Sequence, residues 1–118
     1  MLILGLDVAT STGMCWLNSA TPPSEWRCLA VESEGENSEE KAGDLAVFLY
    51  GEILARRPDF AAIEMPQRSV TQFGRKVRDP ETGEERTQST INPNALQLSG
   101  LAGAVVAVLD ICRIPWGL

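Results

Sequence analysis

The chain alternates short apolar runs with two longer stretches of helical spacing. Residues 2–8 are almost continuously apolar, the pattern of a central strand covered on both faces. Residues 13–18 read as a second strand, and the short link 9–12 makes the pair an antiparallel hairpin. Pro22-Pro23 marks a turn, after which Trp26 to Glu32 alternates as a third strand, completing a meander. Asn37 or Ser38 then caps a helix with Glu39 and Glu40 in its first turn, where the helix dipole favours acids. Ala42, Leu45, Ala46, Leu49 and Ile53 follow at helical spacing, and Pro58 ends the element. Residues 59–64 form a fourth strand, which the intervening helix brings parallel to a meander strand through a right-handed crossover.

Residues 66–90 show no hydrophobic periodicity, and Pro80-Glu81-Thr82-Gly83 reads as a turn, the tip of a ribbon. Asn92-Pro93 opens a second helix, whose buried stripe is Leu98, Leu101, Ala102, Val105 and Leu109. Gly100, Gly103, Ala104 and Ala107 give this helix a smooth side for close packing against another element or another subunit. Residues 112–116 are expected as a fifth strand. The result is one α/β domain over residues 1–118, in the order β-β-β-α-β-α-β.

Two of these strands end on an acid. The first delivers Asp7 into the turn Val8-Ala9-Thr10-Ser11-Thr12-Gly13, and the fourth delivers Glu64 ahead of Met65-Pro66. A carboxylate at the end of an apolar strand is costly to bury unless it is paired or holds a cation. Two of them on strands that can lie side by side point to a divalent metal and to phosphate chemistry. The bland alternatives are that Asp7 caps the turn amides and Glu64 is an exposed acid before a proline. Ser11 and Thr12 are expected to satisfy their own backbone rather than a phosphate.

Composition narrows the classes. Hydrophobic content of 44% and charged content of 22% are ordinary for a globular domain. Leu101 to Leu109 is too short to span a bilayer, and no secretory leader pattern precedes the first strand. The three cysteines, Cys15, Cys28 and Cys112, fall in predicted strands and are expected to be reduced core thiols, which places the protein in the cytoplasm. The net charge of −6 argues against a surface that coats DNA broadly, yet the charge is segregated. Six acids and one lysine lie between Val31 and Asp44, whereas Arg68, Arg75, Lys76 and Arg78 lie between Pro66 and Arg78 without an acid. These four cations are candidate contacts to DNA phosphates. Phe73, set among them, either stacks on an unpaired base or folds back as a loop anchor.

Leu4-Gly5-Leu6-Asp7 with Ser11-Thr12-Gly13, then Ala62-Ile63-Glu64, then Leu96-Gln97-Leu98-Ser99-Gly100-Leu101-Ala102-Gly103 resemble the corresponding stretches of the RuvC-type Holliday junction resolvases. Their fold is the ribonuclease H-like mixed sheet. The resemblance implies Mg²⁺-dependent cleavage of branched DNA by two-metal phosphodiester hydrolysis, with Mn²⁺ as a substitute ion. It places Asp7 on both ions and Glu64 as the second ligand, and it implies a two-fold homodimer on junction DNA in recombination or phage DNA processing. It also implies two further acids on a last helix after the fifth strand. That helix is missing from the 118 residues, and Asp110, before the fifth strand, is no substitute. The chain is accordingly expected to be truncated, to bind Mg²⁺ weakly and to hydrolyse little by itself, with an apolar sheet face uncovered. Two other readings stand beside this one. The first is a non-catalytic nucleic-acid-binding or assembly module of the same fold. The second is an actin-like nucleotide-binding module in which Asp7 and residues 9–13 hold ATP-Mg²⁺.

Overall fold

The computed structural model describes residues 1–64, 72–78, 85–91 and 93–118. A five-stranded sheet has the order β3-β2-β1-β4-β7, and a separate two-stranded sheet pairs β5 with β6. The strands β1 (Leu2–Asp7), β2 (Ser11–Asn18) and β3 (Arg27–Glu32) form the expected antiparallel meander, with a short 3₁₀ turn at Pro23–Glu25. Helix α1 (Ser38–Ala55) then returns the chain to β4 (Phe60–Glu64), which pairs in parallel with β1.

The start of α1 follows from Asn37, whose side-chain carbonyl accepts the Glu40 amide at 2.8 Å. Gly35 just before it has φ +154°, and a Cβ there would lie 2.6 Å from the Glu40 Cβ, so only glycine fits this approach. Leu45, Leu49 and Ile53 are the buried stripe of α1, as the spacing requires. They meet Leu101, Val105 and Leu109 of α2 (Pro93–Ile111) above Leu4, Leu6, Met14, Trp16, Ala61 and Ile63 of the sheet. Full burial of each large aliphatic side chain contributes about 1.5–3 kcal/mol.

The helices therefore cover one face of the sheet. The opposite face, carrying Gly5, Asp7, Gly13, Cys15, Cys28, Ala30, Ala62 and Glu64, has no described element packed on it and is half-buried or exposed. This differs from the expectation that the first strand is covered on both faces. A run apolar at every position does not say which face a second layer covers.

Two further points concern element placement. The segment without hydrophobic periodicity contains β5 (Gln72–Arg78) and β6 (Glu85–Ile91), an antiparallel ribbon inserted between β4 and α2, which agrees with a ribbon tip between them. The Pro80–Gly83 turn and the Asn92 cap lie outside the described residues. The fifth core strand, β7, is only Trp116–Gly117, because residues 112–115 close α2 instead. Arg113 takes the left-handed conformation at φ 57°, with its amide bonded to the Asp110 carbonyl and the Ile114 amide to the Leu109 carbonyl. That double closure is the Schellman arrangement, with arginine where glycine is usual.

The cysteines also depart from expectation. Cys15 and Cys28 are directly opposed on β2 and β3, with Cα atoms 4.0 Å apart, and are joined as a disulfide on the open face rather than held as core thiols. The alternation of β3 is phased by Leu29 and Val31, which pack on the core and turn Cys28 outward. Cys112 remains a free thiol, in the turn after α2 and not in a strand. Among the described residues no helix is long and apolar enough to cross a membrane.

Candidate metal and nucleic-acid site

Asp7 and Glu64 are register partners at the carboxyl ends of the two central parallel strands. β1 puts Leu4 and Leu6 into the core, so Asp7 falls on the open face; Ala61 and Ile63 do the same for Glu64 on β4. On its other side Asp7 is paired with Gly13 of β2, where a Cβ would stand 3.7 Å from the Asp7 Cβ. The missing side chain leaves that flank of the carboxylate open. The two acids and Gly13 line a cleft of about 660 Å³, walled by Cys15, Cys28, Leu29, Ala62 and Leu118.

Among the described residues neither carboxylate has a hydrogen-bond or ion-pair partner. Asp7 makes no side-chain hydrogen bond to the turn amides among the described residues, and the Ala9 amide goes to Thr12 instead. Its fully buried hydroxyl donates to the Ala9 carbonyl at 2.7 Å and accepts from the Ala9 amide at 3.4 Å. Thr12 is therefore occupied with its own turn, as expected of such residues. Two like charges on adjacent strand ends repel, and a cation placed between them converts that repulsion into attraction.

The hard oxygens of Asp7 and Glu64 suit Mg²⁺, which is commonly held by one or two carboxylates, with waters and substrate phosphate filling the remaining positions. No cluster of three or more His, Cys, Asp or Glu side chains forms among the described residues. Asp110 is committed elsewhere, its Oδ1 accepting the Trp116 indole N–H at 2.9 Å.

Of the other candidate residues, Arg68 lies outside the described residues, as do the side chains of Phe73, Arg75, Lys76 and Arg78. The backbone places the last four on β5, in register with Thr90, Gln88, Thr87 and Glu85 of β6. Gly100 and Gly103 are exposed, and nothing lies within 4 Å of where their Cβ atoms would be, so they do not serve packing within the described chain. Two hydrogen bonds were not foreseeable from the sequence. Gln97 on α2 donates from Nε2 to Thr10 Oγ1 at 2.8 Å, and the Ser33 amide donates to the Thr10 carbonyl at 2.9 Å. The only trace of them in the sequence is a polar residue at 97 between apolar neighbours.

The meander, the parallel fourth strand and the two helices on one face define a ribonuclease H-like mixed sheet. Two solved structures of RuvC from Thermus thermophilus share it, one of them in complex with a Holliday junction substrate. The complex superposes with a TM-score of 0.64 at 17% identity, covering 98% of this chain and 62% of that one. The other superposes with a TM-score of 0.64 at 18% identity, covering 98% of this chain and 61% of that one. The chain thus spans less than two thirds of the length of either RuvC chain. No family model matches the sequence, and no curated protein matches it.

Proposed function

We propose that this chain carries the core of a Mg²⁺-dependent, structure-selective endodeoxyribonuclease acting on branched DNA in the manner of a Holliday junction resolvase. The observation that carries the reading is the register of Asp7 with Glu64 on the open face of a ribonuclease H-like sheet. The likeness in fold to RuvC, including a RuvC complex with Holliday junction substrate, supports it.

In this reading Asp7 and Glu64 would hold Mg²⁺, or Mn²⁺ in its place, and the ion when bound would supply Lewis-acid activation of water and neutralisation of the leaving oxygen. Asp7 is the central ligand, since it has Glu64 on one side and the side-chain-free Gly13 on the other. Gly13 leaves room for a phosphate to approach. The exposed face admits a duplex arm without rearrangement of α1 or α2, which lie behind the sheet. Arg68, Phe73, Arg75, Lys76 and Arg78 engage the DNA flanking the scissile phosphate, the cations by neutralising phosphates and Phe73 by stacking. A two-fold homodimer would match a two-fold junction.

The second reading is a non-catalytic module of the same fold that binds branched DNA on the same open face without cutting it.

A labelled four-way junction titrated with the chain, with and without Mn²⁺, tests both. The first reading expects binding that Mn²⁺ strengthens, a gain abolished by Asp7→Asn or Glu64→Gln, and slow strand cleavage at most. Metal-independent binding with no cleavage supports the binding module. Neither binding nor cleavage sinks both and directs attention to nucleotides.

A further inference from the structure

The cleft that holds Asp7 and Glu64 has a second chemically active pair in its wall. Cys15 and Cys28 face each other across β2 and β3, 13 residues apart in sequence, and both line the cleft. Cys28 is exposed and Cys15 half-buried. Their strands are also held by a backbone ladder running from Ser11↔Glu32 to Trp16↔Arg27, so the sulfur–sulfur bond is one of several links between β2 and β3. An exposed disulfide between strands already paired by backbone is open to thiol attack, and its opening leaves the ladder's hydrogen bonds in place to hold the two sulfurs near each other. Those are the properties of an exchangeable bond.

We propose that Cys15 and Cys28 form a reversible dithiol–disulfide couple that exchanges with a low-molecular-weight disulfide such as glutathione disulfide. The exposed Cys28 thiolate attacks one sulfur of glutathione disulfide, forming a mixed disulfide and releasing one glutathione thiolate. The Cys15 thiolate then attacks the Cys28 sulfur, closing the intramolecular bond and releasing the second glutathione. Two electrons pass from the pair to glutathione disulfide, and the two thiol protons end on the two glutathione thiols. Reduction by excess glutathione runs the same steps backwards. The oxidised state ties β3, the edge strand, to β2, the strand whose Gly13 flanks Asp7. The reduced state leaves two thiols facing the cleft. Nothing in this couple requires bound metal or DNA.

The test is equilibration of the folded chain in glutathione buffers from fully reducing to fully oxidising, followed by acid quench, alkylation and peptide mass analysis. The expected result is a single two-electron transition. The three alkylatable thiols of the reduced chain fall to one, Cys112, as Cys15 and Cys28 are lost together. Hydrogen exchange in β3 should slow on oxidation. Cys15→Ser should stop the reaction at a glutathione adduct on Cys28, and Cys28→Ser should leave Cys15 unbonded. The second variant alters an exposed position and guards against misfolding of the first. The proposal is overturned if the pair stays dithiol in the most oxidising buffer. It is equally overturned if the disulfide survives excess glutathione without denaturant, or if wild-type oxidation ends at a mixed disulfide.

Discussion

Gln97 and Thr10, 87 residues apart in sequence, are joined by a hydrogen bond of 2.8 Å from the Gln97 amide to the Thr10 hydroxyl. It ties the early part of α2 to the turn that follows Asp7. The same Thr10 receives the Ser33 amide on its carbonyl, so the turn is held from α2 and from the end of β3 at once. Gln97→Leu keeps the volume and removes the donor. The expected cost is about 1 kcal/mol of stability, with faster amide exchange confined to residues 8–11. Unchanged exchange in that turn would show that Gln97 does not restrain it.

At the far end of α2, Arg113 holds a left-handed conformation at φ 57° that a side chain disfavours. Arg113→Gly should raise stability by about 0.5–1 kcal/mol, a gain of about 2–6 °C in Tm. The Arg57 guanidinium donates to the main-chain carbonyl of residue 113 at 3.2 Å, so that hydrogen bond survives the change. A fall in Tm would mean that the arginine side chain makes a contribution larger than its backbone cost.

Gly13 separates stability from site chemistry. A Cβ there stands 3.7 Å from the Asp7 Cβ, an ordinary contact, and glycine is a poor strand former. Gly13→Ala should therefore leave Tm within about 1 kcal/mol equivalent of wild type. Gly13→Leu should fold yet lose the Mn²⁺-dependent gain in junction binding, because its side chain crowds the open flank of Asp7. Retention of that gain by the leucine variant would show that the metal or phosphate does not approach from the β2 side.

The cations on the inserted ribbon should act through charge. Replacing Arg75, Lys76 and Arg78 by Ala should weaken junction binding and flatten its salt dependence, by roughly 0.9 in log–log slope for each phosphate no longer neutralised. Thermal stability should hold, since the ribbon is a sheet separate from the five-stranded one. An unaltered salt slope would mark these residues as a solvated face.

Leu49 tests the layer that positions the strands. It is fully buried between α1 and the sheet, and Leu49→Ala should cost about 2–5 kcal/mol in chemical denaturation.

Local pattern alone determined most of the scaffold. A helix cap at Asn37 or Ser38, the Leu45-Leu49-Ile53 stripe, the meander and the two strands ending in Asp7 and Glu64 follow from periodicity and turn chemistry, which act over a few residues. The tertiary structure decided what depends on partners distant in sequence. It set the register that puts Asp7 beside Glu64, because parallel pairing is specified by the packing of Leu4, Leu6, Ala61 and Ile63 under the helices and not by either strand alone. It turned Cys15 and Cys28 to the same open face, since β3 is apolar at neighbouring positions and only packing of Leu29 and Val31 chose the phase. It shortened the last strand to two residues, because closing α2 at Arg113 buried Ile114 and satisfied the helix-end carbonyls.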